Sequence, residues 1–164
     1  MPGREQGLQR FIDAVEAGIR ARAADFPDAM SMVDRIFSAL ENAGEVNTEN
    51  TPTRLETCRH LENAYDQARK GPEPFPELTD AFAALEPKFA WNRRAEAATV
   101  AGDFYDNHTN AMIVGNGGLE TRQDVVIGVS LVAPGITYPR HHHPPEELYV
   151  VLSSGEWMQN DNPM

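Results

Sequence analysis

Apolar residues recur at steps of three and four through the first half of the chain, and the period shortens after about residue 100. Leu8, Phe11, Ile12, Val15 and Ile19 form one stripe of an amphipathic helix. Pro27 ends that segment. Asp28 can then cap a second helix, with Val33, Ile36, Phe37 and Leu40 on its buried face and Gly44 beyond its end. Residues 47–52 read as a loop, and a third helix is expected from about Thr53, marked by Leu55, Cys58, Leu61, Tyr65 and Ala68. Pro72, Pro74 and Pro76 must break it. A short fourth helix carries Leu78, Phe82 and Leu85 and stops at Pro87.

The second half reads as strands. Ala111-Met112-Ile113-Val114 runs into Gly115-Asn116-Gly117-Gly118, a turn rich in residues that tolerate positive φ. Residues 124–133 are rich in Val and Ile and end at Pro134-Gly135. Glu147-Leu148-Tyr149-Val150-Val151-Leu152 is a further strand, and a last one is expected near Glu156-Trp157-Met158-Gln159. The fold class is therefore α+β: a helical region over 1–90, then a β region over 91–164 of sandwich or small-barrel type. A barrel needs roughly eight strands to fill its interior. The four counted here point to a truncated barrel.

Length and charge narrow the field. At 164 residues the chain is one domain, or a small domain with an appendage. A formal net charge of -11, with no Lys/Arg cluster, argues against nucleic acid and anionic membrane surfaces as partners. Cys58 is the single cysteine, which excludes an internal disulfide and a cysteine-based zinc site. No apolar run approaches a membrane span and the N-terminus has no hydrophobic signal region, so a cytoplasmic protein is expected. The helical stripes require burial, against the β region or in a homodimer.

Chemistry concentrates in one place. His141, His142, His143 and Glu147 stand together, with Tyr138 before them and Tyr149 after. Strand parity puts Glu147, Tyr149 and Val151 on one face and Leu148, Val150 and Leu152 on the other. On an extended stretch His141 and His143 share a face, although Pro144-Pro145 interrupts continuity to Glu147. Two imidazoles and a carboxylate suit a divalent transition metal and leave positions open for substrate. Glu146 reads as a solvated neighbour, His60 and His108 as ordinary surface or core histidines, and Cys58 as core.

Gly135, His141, His143 and Glu147 are spaced as in the first cupin motif, with Ser154 and then Gly155 where that motif closes on glycine. The segment from Tyr138 to Tyr149 more closely resembles the cupin-type dimethylsulfoniopropionate (DMSP) lyases of the DddQ-like group. A tyrosine stands three places before the His triplet and Glu-Glu-Leu-Tyr follows the prolines. Trp91-Asn92-Arg93-Arg94, Phe104 and the run from Ala111 to Gly118 extend the likeness upstream. The resemblance implies a double-stranded β-barrel holding one divalent metal (zinc, iron, manganese or nickel). It implies His143 and Glu147 as metal ligands, Tyr149 as ligand or catalytic base, and His141 and Tyr138 as substrate-contacting groups. His141 is also the first ligand position of the general cupin motif. A remaining histidine ligand belongs to a second cupin motif that these 164 residues do not reach.

The implied reaction is a β-elimination of DMSP to dimethyl sulfide and acrylate. A cation beside a phenol pulls it toward phenolate; Tyr149 is the expected base, because strand parity puts it next to Glu147 on the inward face, and Tyr138 is the runner-up. Tyr138, Trp157 and Trp91 are the aromatic faces available to a small zwitterionic sulfonium substrate. The alternatives are another cupin reaction on a small carboxylate, as isomerase or oxygenase, and a ligand-sensing cupin without chemistry.

Overall fold

A computed structural model describes residues 3–94, 102–141, 144–159 and 162–163. Four helices lead: α1 (Gln6–Ala23), α2 (Pro27–Leu40), α3 (Leu61–Ala68) and α4 (Phe75–Leu85). The Glu5 carboxylate caps α1 by accepting the backbone N–H groups of Gly7 and Leu8, at 3.0 and 3.1 Å. Helix α2 opens on Pro27 itself, whose fixed φ suits the first helical turn, and Asp28 lies inside that turn without capping it. The third helical segment starts later than its apolar pattern suggests, with a 3₁₀ turn over Glu56–His60 leading into α3.

Six strands follow the same chain order: β1 (Glu45–Val46), β2 (His108–Val114), β3 (Glu120–Thr121), β4 (Ile127–Val132), β5 (Met158–Gln159) and β6 (Asn162–Pro163). The main sheet has the order β1-β3-β2-β4, and β5 pairs with β6 in a separate ribbon. Strand β2 runs antiparallel to β4, with Asn110 opposite Ser130 and Ala111 opposite Val129, and touches β3 in parallel through Val114 and Glu120. Gly115, at φ 130°, starts the turn between β2 and β3 in a backbone conformation that other residues rarely adopt. Among the described residues the sheet is open, with β1 and β4 as its edges, rather than a closed barrel.

The expected strand from Glu147 to Leu152 joins no ladder in the described residues. Its side chains nevertheless alternate. Leu148, Val150 and Leu152 pack against the core built mainly by the helices, so the apolar face is satisfied without strand pairing.

One apolar cluster joins both halves, running from Leu8, Phe37 and Leu78 to Ala111, Ile113 and Val114 on β2. Phe82, Phe89 and Trp91 form its aromatic spine, with ring centroids 5.5 and 6.0 Å apart. Trp91 donates its indole N–H to the buried Glu86 carboxylate at 2.7 Å, and Arg54 approaches the other oxygen at 3.1 Å. No helix among the described residues is long and apolar enough to cross a membrane.

A buried ionic junction fixes the sheet to the helices. Arg4 grips Glu120 with two nitrogens, at 2.6 and 3.1 Å, and both side chains are 3% exposed. The Gly44 N–H donates to the same carboxylate at 2.8 Å. Arg122 approaches it at 3.5 Å, donates to the carbonyls of Ala39 in the last turn of α2 and of Asn42 just past its end, and pairs with Asp124. Gly44 has no room for a side chain, since a Cβ there would lie 2.6 Å from the Thr121 carbonyl oxygen. Burial alone would raise the Glu120 carboxyl, but the bonds from Arg4, Gly44 and Arg122 outweigh it and hold its pKa below the usual 4.5.

Removing one partner of a buried pair strands the other charge, so Arg4→Ala should cost about 3 kcal/mol in guanidinium unfolding. Because the folded-state pKa of Glu120 is lowered, its stabilisation is complete above about pH 4.5 and fades as pH falls below that value. Glu120→Gln should therefore be less stable than wild type at pH 7 and show a flatter loss of stability under acid. Equal slopes for the two proteins below pH 4.5 would refute this origin.

Candidate active site

The segment that carries the motif is held at both ends by helices. Arg35 of α2 pairs with Glu146 at 2.9 Å, and the Ser154 N–H donates to Gln67 of α3 at 3.3 Å. Between these anchors the inward turn of Leu148, Val150 and Leu152 leaves Glu147, Tyr149 and Val151 on the opposite face. The parity holds, but the face expected to point inward, that of Glu147 and Tyr149, is the exposed one, because the apolar Leu148, Val150 and Leu152 take the core. The Tyr149 hydroxyl donates to Oε2 of Glu147, and the Trp157 ring stands 5.3 Å from the Tyr149 ring.

A second set of rings lies on the loop after β4. Tyr138 sits with its ring centroid 4.8 Å from that of His141 and 4.8 Å from that of Phe104. His141 Nδ1 lies 3.0 Å from the Pro139 carbonyl, which selects the tautomer with its proton on Nδ1. Tyr138 and Arg94 are both close enough to Tyr149 for its phenol to sense them electrostatically.

The candidate residues thus fall into two neighbouring groups, Glu147–Tyr149–Trp157 and Tyr138–His141. His142 and His143 lie outside the described residues. Among the described residues no group of three or more His, Cys, Asp and Glu converges on one point. The pairing of a carboxylate with a phenol oxygen still fits the donor chemistry of a divalent cation. Trp91, considered above as an aromatic face, is buried in the core and bonded to Glu86, so it is not available to a ligand.

Partial burial, then the hydrogen bond and charge of Glu147, push the Tyr149 phenol up to about 12. Because 57% of Tyr149 is exposed, water screens the effect of burial, and the carboxylate contact is the specific cause. A base at this position needs a nearby positive charge to reverse that direction.

Sequence reasoning passed over three groups. Arg35 lies far away along the chain and only the fold brings it to Glu146. Arg94 lacked a partner by spacing. His108 was set aside as ordinary, yet it opens β2 two residues before Asn110 and shares its face, a parity legible in the sequence once the strand is extended back from Ala111.

The fold is of the α+β class, with the Glu-Glu-Leu-Tyr segment resting on the core built mainly by the helices. The chain belongs to the dimethylsulfoniopropionate lyase family, whose model matches residues 29–163. It is 25% identical over 114 residues to dimethylsulfoniopropionate lyase DddQ of Ruegeria pomeroyi, covering 69% of this chain and 55% of that protein. It shares its fold with a chain from the crystal structures of the DMSP lyases RdDddP and RnDddQII, at a TM-score of 0.50 and 18% identity, over 79% of this chain and 60% of that one. The chain thus spans about half the length of the curated relative it matches.

The Tyr149–Glu147 contact yields a titration test. In the protein without added metal, Tyr149 should ionise near 12, and Glu147→Gln should move it down toward the ordinary value of 10. Difference absorbance at alkaline pH, with Tyr149→Phe as the blank, isolates this phenol from the other tyrosines. An unchanged Tyr149 titration in Glu147→Gln would remove the carboxylate as the cause.

Proposed function

We propose that this chain acts on DMSP, cleaving it to dimethyl sulfide and acrylate by β-elimination. Family membership supports the substrate class, and the hydrogen-bonded Tyr149–Glu147 pair is the observation that carries the mechanism. In the reaction Tyr149, as phenolate, takes the proton from the carbon next to the carboxylate. The electrons of that C–H bond form the new C=C bond, and the C–S bond breaks. Sulfur leaves with its bonding pair as neutral dimethyl sulfide, and acrylate keeps the carboxylate.

Each side chain has a part that its placement supports. Glu147 orients the Tyr149 hydroxyl and receives its hydrogen bond in the resting state. Trp157, 41% exposed beside Tyr149, and the half-buried Tyr138 present ring faces to the sulfonium cation, an attraction of about 0.5–2 kcal/mol. Tyr138 is the second choice of base. One divalent ion (zinc, iron, manganese or nickel), held by His141, His143, Glu147 and Tyr149, would supply Lewis-acid stabilisation of carboxylate charge and the positive field that favours phenolate. The partner is thus a small zwitterionic sulfonium compound. The acidic net charge makes nucleic acid an unfavourable partner. A cytoplasmic location and a homodimer that buries further apolar surface complete the proposal.

The test is headspace dimethyl sulfide from metal-loaded full-length protein, carrying the second cupin motif as well, incubated with DMSP and each of the four ions in turn. Release is expected, and Tyr149→Phe should lower turnover by about 10²–10⁴-fold, the usual contribution of a positioned base. Undiminished turnover in Tyr149→Phe would transfer the role of base elsewhere. No release from wild type with any ion would overturn the assignment.

A further inference from the structure

We infer that His108 is a positioning residue for Tyr138, acting through Phe104; its functional meaning rests on the proposal that Tyr138 faces the substrate. His108 is 1% exposed, at the start of β2. Its imidazole holds Phe104 in two ways at once. Nδ1 lies 2.9 Å from the Phe104 carbonyl oxygen, and the imidazole stacks on the Phe104 ring with centroids 4.0 Å apart and planes 13° from parallel. The Phe104 ring then meets Tyr138 edge-on at 4.8 Å and 64°, an aromatic geometry with a strong orientational preference. Tyr138 in turn meets the His141 ring at 4.8 Å. A continuous row of four rings therefore leads from a buried strand to the loop that carries the candidate site.

Histidine suits this place better than any purely apolar residue. Phenylalanine could stack on Phe104 but could not bond its carbonyl, and glutamine could bond the carbonyl but could not stack. The choice has a cost, because among the described residues His108 Nε2 is buried without a hydrogen-bond partner. The Phe104 carbonyl also accepts the Asn107 N–H at 3.1 Å, so removing the imidazole does not orphan it. That makes substitution at 108 a clean probe of the row of rings.

The experiment follows ¹³C-labelled tyrosine rings by NMR in wild type, His108→Leu and His108→Phe, with the Tyr138 signals assigned by Tyr138→Phe. Loss of both holds in His108→Leu should shift the Tyr138 ring signals and leave those of Tyr65, which packs on Phe82 in the helical core, in place. His108→Phe, which keeps the stack, should return them toward wild type. Tyr138 signals in His108→Leu that match wild type would overturn the inference, as would His108→Phe signals displaced as far as those of His108→Leu. On DMSP, KM should rise about fivefold in His108→Leu with kcat within about twofold, because a displaced ring face weakens binding of the sulfonium without touching the base. Absence of any wild-type turnover would defeat the functional proposal alone, since the NMR result is read without substrate.

Discussion

A single carboxylate joins the two halves of this protein. Glu120 lies at the foot of a two-residue strand that is too short to hold its place by backbone pairing alone. It is fixed instead by Arg4 from the chain leading into α1, by the Gly44 amide after α2, and by Arg122, which also donates to the Ala39 carbonyl in the last turn of α2. The apolar cluster supplies the bulk of the driving force, but it is non-directional, and the ionic junction sets how the sheet meets the helices.

The candidate site inherits its geometry from that arrangement. Once the helices present an apolar surface, Leu148, Val150 and Leu152 turn onto it, and period-two alternation leaves Glu147 and Tyr149 side by side on the other face. A hydrogen bond between them then follows from spacing. On the far side of the site the order comes from aromatic packing instead, with Tyr138 resting on a ring held by a buried strand.

Much of this was legible in the residues. Helix periodicity located the cores of all four helices, down to Leu8, Phe37 and Phe82, because burial on a helix repeats every three or four positions. The glycine turn after Val114 was visible because few other residues reach the φ of 130° and 81° found at Gly115 and Gly117. Alternation placed Glu147 with Tyr149 correctly even though that segment forms no ladder, since parity depends only on local backbone direction. Two-residue strands such as Glu45–Val46 carry no periodic signal and were read as part of a helical region. The Arg4–Glu120 contact joins residues 116 positions apart, and only the folded chain brings them together. His108 looked ordinary for a similar reason: its partners are the rings of Phe104 and, beyond it, Tyr138, and stacking has no spacing rule.

The outer edge of β4 carries one further consequence. Strand β4 is bonded on one side to β2 and, among the described residues, to no strand on the other, with Gly128 and Ser130 open to solvent along it. A row of amides and carbonyls with one side unmatched is a template for any extended backbone of the right length.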